Sequence, residues 1–575
     1  MVDATSSGEI DVDVLFVGGG PANLAAALRL TQLVADHNAR ISAGALAGPQ
    51  IAPQLAVIEK GRDVGAHAIS GAVFNPTALQ ELLPDYQDRG FPLTTRVAKH
   101  GLYYLSTNGK LRIPDALLPP AYRQDQCYVG SLQKLNLWLA QQLESAGVYL
   151  FHETCGVEIL YDGNRVCGVR TGDKGLEAGG GRKPNYEPGA RIRAKVTVFG
   201  EGPRGTLSED LIHRQGLRTG RNPQSYALGV KELIRVKDRG TPGLVLHTMG
   251  YPLGSRVFGG GFCYGLEENL YAVGMVCGLD WDDPQMDVQT QLQRFKKHPL
   301  LQQFIKGGEV IAYGAKTLPE GGYFAIPRPY VDGALLVGDS AGFLNVPYLK
   351  GLHYAMKSGM LAAETAFEAL LRDDPSAAVL SSYEQRLASS YVMRDLYRVR
   401  NFRRAFSVGG YRGLLPGLVL GGVSLWTGLG PRKPGGVEED FHGLRPLKQA
   451  AAARWTSEPV GYDPGVMVDK LTDVFHAGTL HREDQPSHIR IVDPSRCITE
   501  CIPRFGDAPC THFCPARVYE LVGEGAQRHI HVNFSNCVHC KTCVIKDPID
   551  VVSGDGVQNI VWRAPAEGGP RYQGL

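Results

Sequence analysis

Seven of the chain's twelve cysteines fall between Cys497 and Cys543, and that crowding limits the fold more than any other feature. Cys537, Cys540 and Cys543 read C-x2-C-x2-C, with Cys514-Pro515 upstream. Two intervening residues let one turning loop aim three thiolates at three corners of a cubane iron–sulfur cluster, and the fourth corner needs a sulfur from elsewhere. Zinc is the rival, because C-x2-C pairs also bind zinc. Three cysteines at two-residue gaps together with Cys-Pro favour [4Fe–4S]. A disulfide framework fits poorly: the other five cysteines are scattered, and nothing marks secretion. The N-terminus, MVDATSSGEIDVDVLFVGGG, has no basic region followed by an apolar core, and its first strand begins too early for a transit peptide. The expectation is a bacterial, cytosol-facing chain or a processed form.

A length of 575 residues suits two to four domains. Lys+Arg 60 against Asp+Glu 58 leaves no basic field for nucleic acid. The chain begins with an apolar strand (VDVLFVGGG), the turn Gly18-Gly19-Gly20-Pro21-Ala22-Asn23 and a helical LAAALRLTQLV. Strand, glycine turn and helix form a dinucleotide-binding start. Gly18 permits the tight turn, and Gly20 lets backbone N–H groups approach a pyrophosphate at the helix N-terminus. Asn23 replaces the third glycine of the usual motif. The next strand, LAVIEKG, ends in Glu59, which can accept ribose hydroxyls. The polar insert 35–53 explains why Glu59 comes late.

Two later segments choose FAD over NAD. In KVTVFGEGPRGTLSEDLI an apolar strand ends at Gly200, and Gly202 and Gly205 open a helix. In GALLVGDSAGF a strand ends at Gly338-Asp339. That ending resembles the way glutathione-reductase-like flavoproteins bind the ribityl chain of FAD, with Asp339 as the acceptor. Residues 96–134 and 220–325 carry alternating strand-like segments and read as inserts on the substrate side. No Ser-His-Asp set, HExxH or P-loop is present, and the histidines show no paired metal spacing. His67 and His353 read as packing residues or flavin neighbours. From Gly413 to Pro431 the chain is uncharged, flanked by Arg394, Arg398, Arg400, Arg403 and Arg404 on one side and Arg432-Lys433 on the other. Pro416 and the glycines argue against a straight span, so the expectation is a segment lying in one leaflet, with basic flanks on lipid headgroups and Trp426 at the interface. A buried helix plus loop is the alternative. After Pro434 the polar, Gly/Pro-rich composition reads as a linker.

With these elements together the chain resembles the electron-transfer flavoprotein:ubiquinone oxidoreductase family. VGGGPANLAAALRL, EKGRDVGAHAISGAVF, VFGGGFCYGL, NVPYLKGLHYAMKSGMLAAE, DQPSHIRI, FCPARVYE and NCVHCKTCVIKDP carry the resemblance over nearly the whole length. It implies an α/β FAD-binding fold of the glutathione-reductase-like, Rossmann βαβ type (1–95, 135–219 and 326–405). It also implies an inserted α+β quinone-binding domain (96–134 and 220–325), a membrane-associated segment (406–433) and a C-terminal ferredoxin-like iron–sulfur domain (434–575). The implied activity takes electrons from reduced electron-transfer flavoprotein and reduces ubiquinone or menaquinone, with FAD and one [4Fe–4S] cluster as cofactors. The enzyme would be monotopic on the cytoplasmic face of a bacterial inner membrane, or on the matrix side in mitochondria. The cluster ligands carried over are Cys514, Cys537, Cys540 and Cys543. Gly18, Gly20, Pro21, Ala22, Glu59, Gly65, Ser70, Gly202, Gly338, Asp339 and Gly351 form the expected FAD set. Gly259 and Gly260 are expected at the quinone, and 64–85 beside 406–426 at the membrane. No side-chain acid or base is expected. The alternative is a flavin-dependent reductase or hydroxylase of a prenyl-like lipid, which would not need the cysteine tail.

The chain departs from the family in Cys497, Cys501 and Cys510. With Cys514-Pro515 they read C-x3-C-x8-C-x3-C-P, an expanded half of a two-cluster ferredoxin, in which the Cys-Pro of one half ligates the other cluster. The reciprocal position after Cys543 is Asp547-Pro548. The expectation is a second cluster, [3Fe–4S] or [4Fe–4S], on Cys497, Cys501 and Cys510 with Asp547 or no protein ligand at the fourth iron. Three reduced cysteines, or zinc, is the plainer alternative.

Overall fold

The computed structural model describes residues 8–575 apart from 120, 121, 123, 239, 255, 268, 407–413, 449–459, 464, 550–557, 566 and 573. The apolar N-terminal run becomes β1 (Glu9–Val17), parallel to β2 (Leu55–Ile58) on one side and to β3 (Arg191–Phe199) on the other. Val14, Leu15 and Phe16 are all fully buried, as a parallel sheet covered on both faces demands. Tyr149–Phe151 and Ala334–Leu336 extend the sheet in parallel on either side, and a hairpin at Gly156–Asp162 and Arg165–Thr171 with the antiparallel edge strand Tyr330–Val331 completes its eight strands. Helices α1 (Pro21–Ser42) and α2 (Leu352–Arg372) pack against each other over it. Gly359 on α2 leaves room for the Ala22 carbonyl, which an added Cβ would meet at 2.0 Å.

A second, seven-stranded sheet is built from β4 (Tyr226–Arg235), β5 (Gly259–Glu267), β6 (Glu309–Pro319) and four further strands. Two of those, Lys99–Leu105 and Lys110–Ile113, come from the earlier insert and join one edge, with Lys99–Leu105 parallel to Leu244–Gly250. The two inserts, far apart in sequence, therefore form one sheet. Its other pairings are antiparallel.

The cysteine tail has no core of its own. Its thiols and aromatic residues share one hydrophobic core with the second sheet. A hairpin at Tyr519–Val522 and His529–Val532 and an antiparallel pair of Ile489–Ile491 with the distant Ile560–Trp562 frame the thiol loops. The stretch after Pro434 does not hang free as its composition suggested. Buried Asp440 accepts the Tyr226 N–H at 2.7 Å, and Lys546 donates to the carbonyls of Trp281 and Asp440 (2.8 and 2.9 Å).

Helix α3 (Leu414–Thr427) is the core of the uncharged segment. Residues 407–413 of the expected membrane segment lie outside the described residues. One face of α3 packs on Phe402 and Phe406 through Gly417, Gly421 and Leu425. Val419, Leu420, Val423 and Trp426 on the other face, with Leu429 beyond, are more than half exposed, from 52 % at Val423 to 66 % at Val419. Among the described residues, no helix is long and apolar enough to cross a membrane. Two details of the sequence reading are corrected. The apolar side chains of 64–85 turn inward: Val64, Phe74, Leu79, Leu82 and Leu83 are core residues, so this stretch offers no apolar face. Nor do all the flanking arginines face outward. Arg403 is buried on Glu320 (3.2 Å) and Asp280 (2.8 Å), and Arg400 donates to the Tyr397 and Gly428 carbonyls (2.8 and 3.0 Å).

Candidate functional site: a dinucleotide cavity walled by thiol loops

The loop after β1 opens one side of a cavity of about 310 Å³. Gly18 sits at φ +100°, and a Cβ there would stand 2.7 Å from the Gly200 carbonyl oxygen, so only glycine lets the two crossing loops meet. Gly20 caps α1 and Pro21 fills its first turn, which carries no acidic residue. The free N–H groups and the positive end of the helix dipole therefore face the cavity, as an anion requires. Asn23 is fully buried and replaces the third glycine with a fastening. Its amide donates to the carbonyls of Val17 and Gly18, both at 2.9 Å. Glu59 accepts the N–H groups of Gly19 (2.8 Å) and Gly61 (2.7 Å) on separate oxygens, and each oxygen keeps a lone pair for a ribose hydroxyl.

Gly18, Gly20, Pro21, Ala22, Glu59 and Gly65 all line this cavity, as do Ser70, Gly202, Gly338, Asp339 and Gly351. The fold thus gathers the whole set named from sequence around one space. Burial pushes the Asp339 carboxyl up to about 6 against the pull of Lys316. His67 also lines the cavity, whereas His353 packs between Tyr354 and Tyr391.

Sequence reasoning missed the lysines. Lys60, Lys231, Lys316 and Lys541 line the same cavity, and burial pulls all four down, Lys316 to about 8 and Lys231 and Lys541 to about 7. They share the lining with the carboxylates of Glu59, Glu201, Glu320 and Asp339, and the desolvated lysines among them offer partners to an anionic group. The available signal was a lone lysine inside an apolar strand, Lys231 in YALGVKELIR and Lys316 in EVIAYGAKTLP. Also missed was a buried trio, His481, His488 and His539, whose ring nitrogens lie within 4.8 Å of one another. His481 Nε2 meets the Cys537 carbonyl at 2.9 Å and His539 Nδ1 meets Lys60 Nζ at 3.2 Å. Burial lowers all three imidazoles from their ordinary value, His488 and His539 well below it.

Cys514, Cys537, Cys540 and Cys543 come together directly behind the cavity wall. All are buried and free, and Cys543 lies close enough to the other three to feel their charges. The sulfurs meet donors: Val518 N–H to Cys514 and His539 N–H to Cys537, each at 3.4 Å, and Thr542 Oγ1 at 3.4 Å from Cys540. Burial raises every one of these thiols, Cys514 to about 11. Thiolates are stable there only against a cationic centre, which fits iron. Thr317, in the cavity wall, donates its hydroxyl to the Cys540 carbonyl at 2.9 Å. Lys541 and Trp562 of the tail line the cavity themselves. Cys497, Cys501, Cys510 and Asp547 gather separately, around a second pocket.

Gly259 and Gly260 open β5, paired with Cys277 and Val276. A Cβ would strike the Val276 carbonyl at 2.1 Å from Gly259 and the Thr248 carbonyl at 2.0 Å from Gly260. They do not line the large cavity, though Val276 does. Phe258, next to them, packs on Phe406 below α3 (centroids 4.7 Å apart).

A dinucleotide cavity in an α/β domain, walled by a four-thiol loop set, defines the class: a flavoprotein-type electron-transfer protein with an iron–sulfur domain. The comparisons give the family. The family model described as "ETF-QO, ubiquinone-binding" matches residues 226–318, and "Electron transfer flavoprotein-ubiquinone oxidoreductase, 4Fe-4S" matches 465–573. The Electron transfer flavoprotein-ubiquinone oxidoreductase of Pseudomonas aeruginosa is 38% identical over 98% of this chain and 99% of its own. The mitochondrial proteins of that name from Oryza sativa and Homo sapiens are 38% and 37% identical, over 97% and 98% of this chain and 92% and 89% of theirs. The chain belongs to the electron transfer flavoprotein-ubiquinone oxidoreductase family. In fold alone it is similar to a solved geranylgeranyl bacteriochlorophyll reductase-like protein from Thermoplasma acidophilum, with a TM-score of 0.52 and 21% identity over 67% of this chain and 85% of that one.

Proposed function

We propose that this protein takes electrons from reduced electron-transfer flavoprotein and passes them to a membrane quinone, with FAD in the 310 Å³ cavity and a [4Fe–4S] cluster on Cys514, Cys537, Cys540 and Cys543. One observation carries the reading: the cavity and the thiol set share a wall, joined by the Thr317–Cys540 hydrogen bond. When bound, a flavin takes electrons singly or in pairs, so one-electron donors can serve a two-electron acceptor. Gly18, Gly20, Pro21 and Ala22 hold the diphosphate at the α1 N-terminus, with the buried lysines supplying positive charge. Glu59 takes the adenosine ribose and Asp339 the ribityl hydroxyls. Gly65, Ser70, Gly202 and Gly351 keep the walls close to the cofactor. Each turnover consumes two electrons from the donor and two protons from water, and quinone becomes quinol.

Gly259 and Gly260 offer bare backbone to the quinone head group, beside the Phe258–Phe406 pair that leads to α3. Val419, Leu420, Val423, Trp426 and Leu429 enter one leaflet from the cytoplasmic face, or the matrix face in a mitochondrion. Each contributes on the order of 1–2 kcal/mol on leaving water. The test is the purified full-length protein with reduced electron-transfer flavoprotein and a short-chain quinone. The donor should drive quinone reduction through a flavin that bleaches and recovers. Quinone left oxidised with the donor fully reduced would sink the reading. Val423→Asp should weaken flotation with anionic vesicles and leave flavin content intact, and unchanged flotation counts against the α3 assignment.

A further inference from the structure

The reading above uses four of the seven cysteines in the tail. The remaining three converge as well. Cys497 and Cys501 lie four residues apart in a π-type helical turn, a geometry rare except at functional sites. Cys510 is on α4 (Pro509–Phe513), and Asp547 follows α5 (Cys543–Lys546). All four line one pocket, otherwise walled by apolar residues such as Ile491, Ile530 and Ile560. Cys497, Cys501 and Asp547 are buried, Cys510 is half-buried, and all three thiols are free.

The two short helices are built alike. Each carries a cysteine and ends in a residue before proline, as Cys510-x3-Cys514-Pro515 and Cys543-x3-Asp547-Pro548. The fold then crosses them. Cys514 leaves α4 for the set of Cys537, Cys540 and Cys543, while Asp547 leaves α5 for the pocket of Cys497, Cys501 and Cys510. That exchange is how a two-cluster protein shares its fourth ligands. A single zinc ion fits less well. The sulfurs of a tetrahedral site, ~2.3 Å from the ion, stand about 3.8 Å apart. Among the described residues, the only three ligand groups within 4.8 Å of one another are His481, His488 and His539. Both thiol sets are therefore more open than zinc needs, as sulfurs around a cube must be.

We propose that Cys497, Cys501 and Cys510 bind a second iron–sulfur cluster, three thiolates for three irons, with Asp547 facing the fourth corner. Asp547 accepts the N–H groups of Ile549 (3.2 Å) and Ile560 (2.6 Å), one on each oxygen, which fixes it at that corner and weakens it as an iron ligand. Asn559 Nδ2, 3.7 Å from the Cys497 sulfur, supplies a donor as Thr542 does in the first set.

The experiment is iron, acid-labile sulfide and zinc per FAD in anaerobically purified full-length protein, with electron paramagnetic resonance. A three-iron cluster is paramagnetic when oxidised, whereas a [4Fe–4S] cluster of ferredoxin type is paramagnetic only when reduced. Expected are about seven irons per FAD and a signal from the oxidised protein. Cys501→Ala and Cys510→Ser should each lower the count to about four and abolish that signal with FAD retained, and Asp547→Cys should raise it to about eight. About four irons in the wild type, alone or with one zinc, overturns the proposal. If one variant does not fold, the wild-type count and spectrum still decide. Cys540→Ala separates the two readings, because it removes about four irons and should leave about three with the oxidised signal. Failure of quinone reduction would leave this count standing.

Discussion

Cys540 lies in a loop and Cys501 in a π-type helical turn, in the two halves of the tail, and their surroundings differ too. Around the first set, six groups from elsewhere in the fold clamp the backbone. Thr317 and Tyr572 donate to the Cys540 and Val538 carbonyls, Thr479 and His481 meet that of Cys537, and Lys470 and Tyr313 donate to those of Cys514 and Pro515. Around the second set Asn559 brackets the backbone of Asp493, and His512 and Gln285 meet Asp507 (2.9 and 2.7 Å). The first half is built into the cavity wall, and the thiols of the second line a separate pocket, with Cys510 half-buried. The two halves therefore differ in what they dock against: the first set lies behind the cavity wall, and the second surrounds a pocket of its own.

The comparison breaks most sharply at Cys540. Cys540→Ala should lower donor-dependent quinone reduction by more than the roughly 10–100-fold that loss of an outer-shell partner brings, with flavin absorbance retained. A variant that keeps more than a tenth of wild-type turnover would show that the wall between cavity and thiols is not the electron path.

The thiol sets and glycine turns were legible because their chemistry is local: Gly18 to Asn23 and Cys537 to Cys543 each act within one loop. The lysines of the cavity were not. Lys231 and Lys316 face it from neighbouring strands, β4 and β6, and Lys541 arrives from the other end of the chain. The imidazole trio was hidden for the same reason, since His481 and His539, 58 residues apart, meet only once the tail has folded. Arg403 read as a headgroup contact because its partners, Asp280 and Glu320, lie more than eighty residues away. The linker reading after Pro434 did not include the buried contacts, such as Asp440 on Tyr226, that hold the stretch to the second sheet despite its Gly/Pro-rich composition.

A smaller effect sharpens the contrast through pH. Lys541 and Lys316 sit at about 7 and about 8, held down by burial, so they are protonated below those values and neutral above. A diphosphate favours the protonated forms. FAD affinity should therefore be highest near pH 6 and fall, by roughly tenfold, as pH rises to 9. Lys541→Met should weaken binding at pH 6 and flatten the profile. Substitutions at Cys497 or Asn559 in the outer half should leave its slope alone, and a slope that follows them would show that the outer half also reaches the cavity. Flavin fluorescence on rebinding to FAD-depleted protein measures all of these.

The smallest effect separates the two centres by potential. A hydrogen bond to a cluster sulfur stabilises the reduced, more negative state more than the oxidised one, so its removal lowers the potential. A bond of about 1 kcal/mol corresponds to roughly 40 mV for one electron. Thr542→Val removes the hydroxyl beside Cys540 and should lower the first centre alone by that amount. Asn559→Leu removes the amide beside Cys497 and should lower the second alone. Asn559 also accepts from the Asp493 N–H (2.8 Å) and donates to its carbonyl (2.9 Å), so iron content must be measured with the potential. If Thr542→Val moves both potentials, the two halves are electrostatically one site. If each variant moves only its own, the crossing of Cys514 and Asp547 joins two separate centres.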